Sequence, residues 1–209
     1  MSLPASELRL VLASASKWRR EICAQVGLHV DGQDPLVDEA EIQAATPSAL
    51  ALARARAKAD SLAGAGRVVI GCDQVCHLDG VVYGKPRNDE EHGAQLRALR
   101  GRTHELVDGI SIVTPQSRFD DVVTVRVALR ADLSDAEIDA YVASGDARGC
   151  AGGYRAEGPG AWLIAGVEGD WFAVIGLPIF HVLTTLRALG WRPGASQHRS
   201  AALPPGTFA

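Results

Sequence analysis

Val68 to Cys72 is an uninterrupted apolar run that ends on an acid, Asp73, and a chain with such a run must bury it. The run reads as a buried strand, with Asp73 where the strand gives out, at the sheet edge where α/β proteins keep their chemistry. Leu78-Asp79-Gly80-Val81 then has the composition of a tight hairpin turn. That turn returns the chain and brings Gly84-Lys85-Pro86 back towards Asp73. A carboxylate and an ammonium delivered from neighbouring turns suit metal-assisted attack on a phosphoanhydride. The same two residues also fit a surface acid and base beside an ordinary hairpin, so the rest of the chain has to decide.

The 209 residues suffice for one large domain or two lobes around a cleft. Hydrophobic residues at 47% and charged residues at 22% are ordinary globular values. The net charge of -4 speaks against a protein that wraps duplex nucleic acid. Cys23, Cys72, Cys76 and Cys150 show no Cys-x-x-Cys spacing and read as reduced residues, not a disulfide framework or zinc site. No apolar stretch reaches bilayer length and no leader pattern opens the chain. The expectation is a cytoplasmic enzyme with no membrane or nucleic-acid partner.

Strand and helix patterns alternate along the chain. Leu8 to Ala13 reads as a strand, and Ser14-Ala15-Ser16 caps a helix from Lys17 to Val26. Leu28 to Val30 is expected as a second strand and Pro47 to Leu62 as an alanine-rich helix carrying Lys58, one turn after Arg54. Asn88 caps a helix that ends at Gly101, and His104 to Val113 and Asp121 to Arg130 are two long strands. Ser134-Asp135-Ala136-Glu137 is a capping box for a helix stopped by Gly145. A glycine loop at Cys150 to Tyr154 precedes expected strands at Trp162 to Val167 and Phe172 to Ile175. Leu177-Pro178 opens a last helix through Leu189. Residues 1–190 are expected to form the folded unit, and 191–209 a disordered tail.

The first strand-helix junction gathers Ser14, Ser16, Lys17, Arg19 and Arg20 where free backbone donors already favour an anion. Lysine and fork-shaped arginines suit phosphate oxygens. A solvated basic helix face is the plainer alternative. Val37 to Glu41 is an acidic loop able to ligate magnesium, although most such loops are simply solvated. His77, His104 and His181 lack partners at ligand spacing and read as structural.

Taken in order, Leu12-Ala13-Ser14-Ala15-Ser16, Arg19, Asp38-Glu39, Lys58-Ala59, Gly71-Cys72-Asp73-Gln74, Gly84-Lys85-Pro86, Gly101-x-x-His104, Ala151-Gly152-Gly153-Tyr154 with Gly158, and Val174-Ile175-Gly176-Leu177-Pro178 resemble the Maf family of nucleoside triphosphate pyrophosphatases. The resemblance spans about Leu10 to Gly190. It implies an α/β fold, a mixed twisted sheet with flanking helices in two lobes around a nucleotide cleft, akin to inosine triphosphatases. It also implies a divalent metal, magnesium or manganese, a homodimer, and cleavage between the α- and β-phosphates. Asp73 takes the position of the family's proton acceptor. By its chemistry Glu39, with or without Asp73, can ligate the metal, while Ser14, Arg19, Lys58 and Lys85 hold phosphate. Asp73 as base and Asp73 as metal ligand both remain open.

Three positions bear on the base. The branch of the family acting on thymidine and uridine triphosphates has arginine, threonine and glutamine where this chain has Trp18, Gln74 and Glu157. The departure is similar to the branch of 7-methyl-GTP pyrophosphatases. Methylation puts positive charge on the guanine ring, and a tryptophan face attracts cations. A carboxylate at Glu157 can accept from the guanine donor edge. Trp18 packed as a core residue and Glu157 as a solvated turn acid are the alternatives. Lys17 stands where the family usually has proline. The resemblance leaves two rivals: the same chemistry on dTTP, UTP or another modified nucleotide, and a non-catalytic nucleotide-binding regulator of septum formation.

Overall fold

The structure, a computed structural model, describes residues 8–147 and 149–192. One mixed sheet of seven strands organises them: β1 (Arg9–Ala13), β2 (Asp31–Gln33), β3 (Arg67–Leu78), β4 (Val81–Val82), β5 (Thr103–Val113), β6 (Arg118–Leu129) and β7 (Ile164–Glu168). Their order is β2-β1-β3-β5-β6-β7, with β4 also paired to β3. β1 lies parallel to both neighbours, and every pairing from β3 onward is antiparallel. Six helices flank the sheet: α1 (Lys17–Gln25), α2 (Pro47–Leu62), α3 (Asp89–Leu99), α4 (Asp135–Ser144), α5 (Trp171–Ile175) and α6 (Ile179–Ala188).

β3 decides the shape of the molecule. On one edge β1 pairs with it only from Arg67 to Gly71, and β4 only at His77 and Leu78. The edge between those pairings is where the sheet opens. On its other edge β3 pairs with β5 without a break from Val69 to His77. Asp73 therefore sits in mid-strand, not at the strand's end as the apolar pattern implied. The hydrogen bonds to β5 carry the strand through the acid, and it is the neighbouring strand β1 that stops.

Side chains alternate across this sheet. One face carries two apolar cores. Val68, Ile70 and Cys72 pack with Ile110, Ile112, Ile179 and Leu186, while Cys76 and Leu78 pack with Leu106, Leu96, Leu99 and Ile138. At the seam Gln74 and Asp108 stand opposite each other. The other face is covered by α2, whose Ala51, Ala55 and Ala59 are fully buried. Two glycines let α2 approach. A Cβ on Gly71 would lie 2.1 Å from the Ala55 carbonyl oxygen, and one on Gly109 would lie 2.3 Å from the Ala51 carbonyl carbon.

Local chemistry set most boundaries as expected. Ser16, Thr46, Asn88 and Ser134 each accept a backbone N–H at a helix start, and Ser134 completes a capping box with Glu137. Such caps are each worth about 1 kcal/mol. Asp79 and Gly80 turn the β3–β4 hairpin with φ of 53° and 82°, the pair of positive values a type I′ turn needs.

Four expectations are corrected. Leu28 is buried as a core residue, and the second strand begins after it at Asp31, as a polar edge strand without the alternation that marks a half-buried one. Phe172 to Ile175 belongs to the short helix α5, because Asp170 accepts from Phe172 N and Gly176 closes the turn at φ 106°; the caps override the β-propensity of the side chains. Trp162 lies in a 3-10 turn, Pro159–Leu163, and β7 starts only at Ile164. Trp191, placed at the head of a disordered tail, packs into the core with α6, and residues 193–209 lie outside the described residues. Among the described residues no helix is long and apolar enough to cross a membrane.

Candidate active site

Where β1 stops and β4 has not begun, a cleft of about 640 Å³ opens over β3, within the range of small-molecule sites. Ser14, Trp18, Arg19, Glu39, Lys58, Asp73, Gln74, Lys85 and Glu157 all line it. The structure thus gathers these nine residues into one place, while Arg20, read from the sequence with the same junction, does not line the cleft.

Asp73 points to the α2 face and is buried. The close approach of α2 brings Lys58 Nζ to 2.5 Å from Asp73 Oδ1 and 2.9 Å from Glu39 Oε1. One ammonium therefore links two carboxylates. Glu39 reaches it from a 3-10 turn, Glu39–Glu41, capped by Asp38. Burial alone would raise the Glu39 carboxyl, but the hydrogen bond and charge of Lys58, with Lys85 and Arg54, hold it below the usual carboxylate range. Asp73 Oδ2 is buried with no hydrogen-bond partner; Arg54 Nη1 lies 3.7 Å from it.

That orphaned oxygen and Glu39 are the residues able to hold a divalent cation, since hard oxygen donors suit magnesium or manganese. Among the described residues no group of three or more His, Cys, Asp or Glu is placed to hold one. Two carboxylates still fit magnesium, which takes its remaining ligands from water and substrate phosphates.

A second wall comes from the β1–α1 junction. Ser14 Oγ accepts from Ser16 N and from Arg19 Nη1, and Ser16 Oγ caps α1. Arg19 Nε donates to the Gly176 carbonyl at 2.6 Å, which ties this junction to the turn after α5. Burial works against the Arg19 charge, but Cys72, Asp73, Asp108 and Glu39 around it more than restore it. Arg20 turns away to the Ser14 carbonyl and Asp34. Lys85 lies exposed at the mouth, on the segment returning from β4.

The third wall is the segment after the glycine turn. His92 Nε2 meets the Gly153 carbonyl at 2.5 Å and His104 Nε2 meets Tyr154 Oη at 2.7 Å. These buried histidines pin the loop that presents Arg155 and Glu157. Glu157, its side chain 24% exposed, pairs with Arg155 Nε at 3.3 Å, and burial raises its carboxyl against the pull of that guanidinium. Trp18 is only half-buried, with Lys17 Nζ 4.1 Å and the Arg155 guanidinium 4.6 Å from its ring centroid. Gln74 is spent differently: its Nε2 donates to the Ala173 carbonyl at 2.7 Å, holding α5 to the sheet.

Sequence reasoning gave no role to three residues. Arg54, noted one turn before Lys58, shares the inner face of α2 with it. Asp108 interrupts the apolar run of β5; burial raises its carboxyl well above the usual range, and its Oδ1 has no partner. Arg155 has no sequence signal of its own. His77 and His181 pair with Glu105 and Asp121, outside the cleft lining.

The family model described as Maf-like protein matches residues 9–189. A dTTP/UTP pyrophosphatase of Moorella thermoacetica is 40% identical over 87% of this chain and 95% of its own length. A 7-methyl-GTP pyrophosphatase of Burkholderia thailandensis is 40% identical over 91% of this chain and 93% of its own length. A nucleoside triphosphate pyrophosphatase of Streptomyces avermitilis is also 40% identical, over 87% and 91%. Among solved structures, a HAM1 protein from Coxiella burnetii aligns at 16% identity with a TM-score of 0.42, covering 61% of this chain and 75% of that one. With a matching family model along almost all of its described length, and relatives this similar end to end, the chain belongs to the Maf family.

Proposed function

We propose that this Maf-family chain is a nucleoside triphosphate pyrophosphatase that hydrolyses the α–β phosphoanhydride of 7-methyl-GTP to 7-methyl-GMP and pyrophosphate. The observation that carries the choice of base is the Trp18 ring, which holds two cations, Lys17 and Arg155, beside the Glu157 carboxylate and in the same cleft as Asp73. A flat cationic purine offers that ring a charge and offers Glu157 its donor edge.

In this reading Lys58 fixes Asp73 through Oδ1, leaving Oδ2 free to accept the proton of a water attacking the α-phosphorus. The P–O bond to the β-phosphate breaks, and pyrophosphate leaves with the electron pair. Ser14, Arg19 and Lys85 hold the triphosphate and take up its shifting charge. A divalent cation held by Glu39 and Asp73 would supply a Lewis acid for the phosphate oxygens. The protein acts as a cytoplasmic homodimer.

A pyrophosphate-release assay over GTP, 7-methyl-GTP, dTTP and UTP tests the base. The expected preference for 7-methyl-GTP over GTP is roughly thirtyfold in kcat/KM, from a desolvated cation–π contact of about 2 kcal/mol. Equal efficiency on the two guanine nucleotides would remove the base assignment. A second reading, the same chemistry on dTTP and UTP, draws on the relatives of that name at equal identity and on a Gln74 amide already engaged by Ala173. Higher efficiency on dTTP or UTP would select it. Nucleotide binding with negligible turnover would favour the regulatory role instead.

A further inference from the structure

Arg155 joins the two residues assigned above to the base. Its guanidinium lies over Trp18, and its Nε lies 3.3 Å from Glu157 Oε1. Its Nη1 sits 3.0 Å from Asp146 Oδ1, and its backbone N donates to Tyr141 Oη, so the loop holds it in place. The side chain is mostly buried, and Nε makes no hydrogen bond. A planar cation over an indole and beside a carboxylate has the charge and the position a cationic purine would present there.

We infer that Arg155 is a specificity-determining residue that fills the base subsite of the free protein as an internal mimic of the cationic ring, and that the incoming base displaces it onto Asp146. The inference rests on the reading of Trp18 and Glu157 as partners of the base. Asp146 makes the exchange feasible: its side chain is only 11% exposed, it already holds Nη1, and Tyr141 Oη fixes it by a 3.1 Å hydrogen bond. Arg155 neutralises Glu157 and the adjoining Asp146, which is not part of the cleft lining, and so blunts the subsite's preference for a cation. Without it, Glu157 faces the base uncompensated, and the nearby charge of Asp146 adds to a field that favours a charged ring over a neutral one.

The test is the ratio of kcat/KM for 7-methyl-GTP to that for GTP in the wild type, Arg155→Met and Arg155→Lys. Assay at about pH 8 offsets the upward push of burial on the Glu157 carboxyl. In Arg155→Met the ratio should rise about tenfold, carried by KM, as expected for one cation contact transferred to the base. Arg155→Lys should stay near the wild type. An unchanged or lower ratio in Arg155→Met overturns the inference. That includes the case of a loosened loop, which lowers both efficiencies together. The wild-type ratio judges the base assignment separately. A wild-type preference with no rise in Arg155→Met removes only the role of Arg155, and a wild-type ratio near one removes the base assignment and, with it, the inference.

Discussion

Lys58 lies between Asp73 and Glu39, 2.5 Å from one carboxylate and 2.9 Å from the other, on a helix that two glycines allow to sit directly on the sheet. Removing that ammonium leaves a buried carboxylate without its cation. Lys58→Met is expected to lose about 3 kcal/mol of stability, the ordinary cost of breaking a buried pair from one side, and at least roughly a hundredfold in kcat. Urea unfolding and steady-state kinetics check both. Full activity in Lys58→Met would place the pair outside the chemistry.

Gly71 sets the distance between α2 and β3. Gly71→Ala puts a methyl 2.1 Å from the Ala55 carbonyl oxygen, so the helix must retreat. The expected cost is about 1–3 kcal/mol, with kcat falling because Lys58 moves off Asp73. Gly80→Ala, where a Cβ meets nothing within 4 Å, changes stability through its positive φ but leaves kcat alone. Parallel kinetics on the two variants separate positioning from general destabilisation.

His104 is fully buried, and burial, reinforced by the charge of His77, lowers its pKa from 6.5 to about 4. The folded state thus resists a proton that the unfolded chain accepts. Stability is complete above the unfolded value and is lost as pH falls from about 6.5 towards 4. Between pH 7 and 5 the loss should be about 2 kcal/mol. His104→Gln, which keeps a polar group for Tyr154, should flatten that part of the profile. Equal slopes in urea midpoints against pH for the two proteins would contradict a neutral buried His104.

Much of the fold was legible because its signals are local. The caps at Ser16, Asn88 and Ser134 and the Asp79-Gly80 turn need only their neighbours to act. Phe172 to Ile175 misled because aromatic and β-branched side chains are compatible with one capped helical turn. The cleft was legible in part because Ser14, Trp18 and Arg19 cluster at the β1–α1 junction and Lys85 follows β4, where turns carry polar side chains. Glu39, Lys58, Asp73, Gln74 and Glu157 come from elsewhere in the chain and were drawn together by the ordered motifs of the family resemblance. What remained hidden is tertiary. Asp73 looks terminal until β5 is seen to run on beside it. Asp108 acts from the seam between two cores, and Arg155 acquires its meaning only when Trp18 is folded under it.

Turnover of a nucleoside triphosphate in water enriched in heavy oxygen, with the products separated and weighed, addresses the role of Asp73 directly. Attack at the α-phosphorus through Asp73 should give monophosphate and pyrophosphate, with the heavy oxygen in the monophosphate alone. Asp73→Asn should retain nucleotide binding while losing turnover by at least roughly a hundredfold, as removal of a general base does. Release of diphosphate and phosphate, label in the pyrophosphate, or near-normal turnover in Asp73→Asn would contradict the assignment of this cleft.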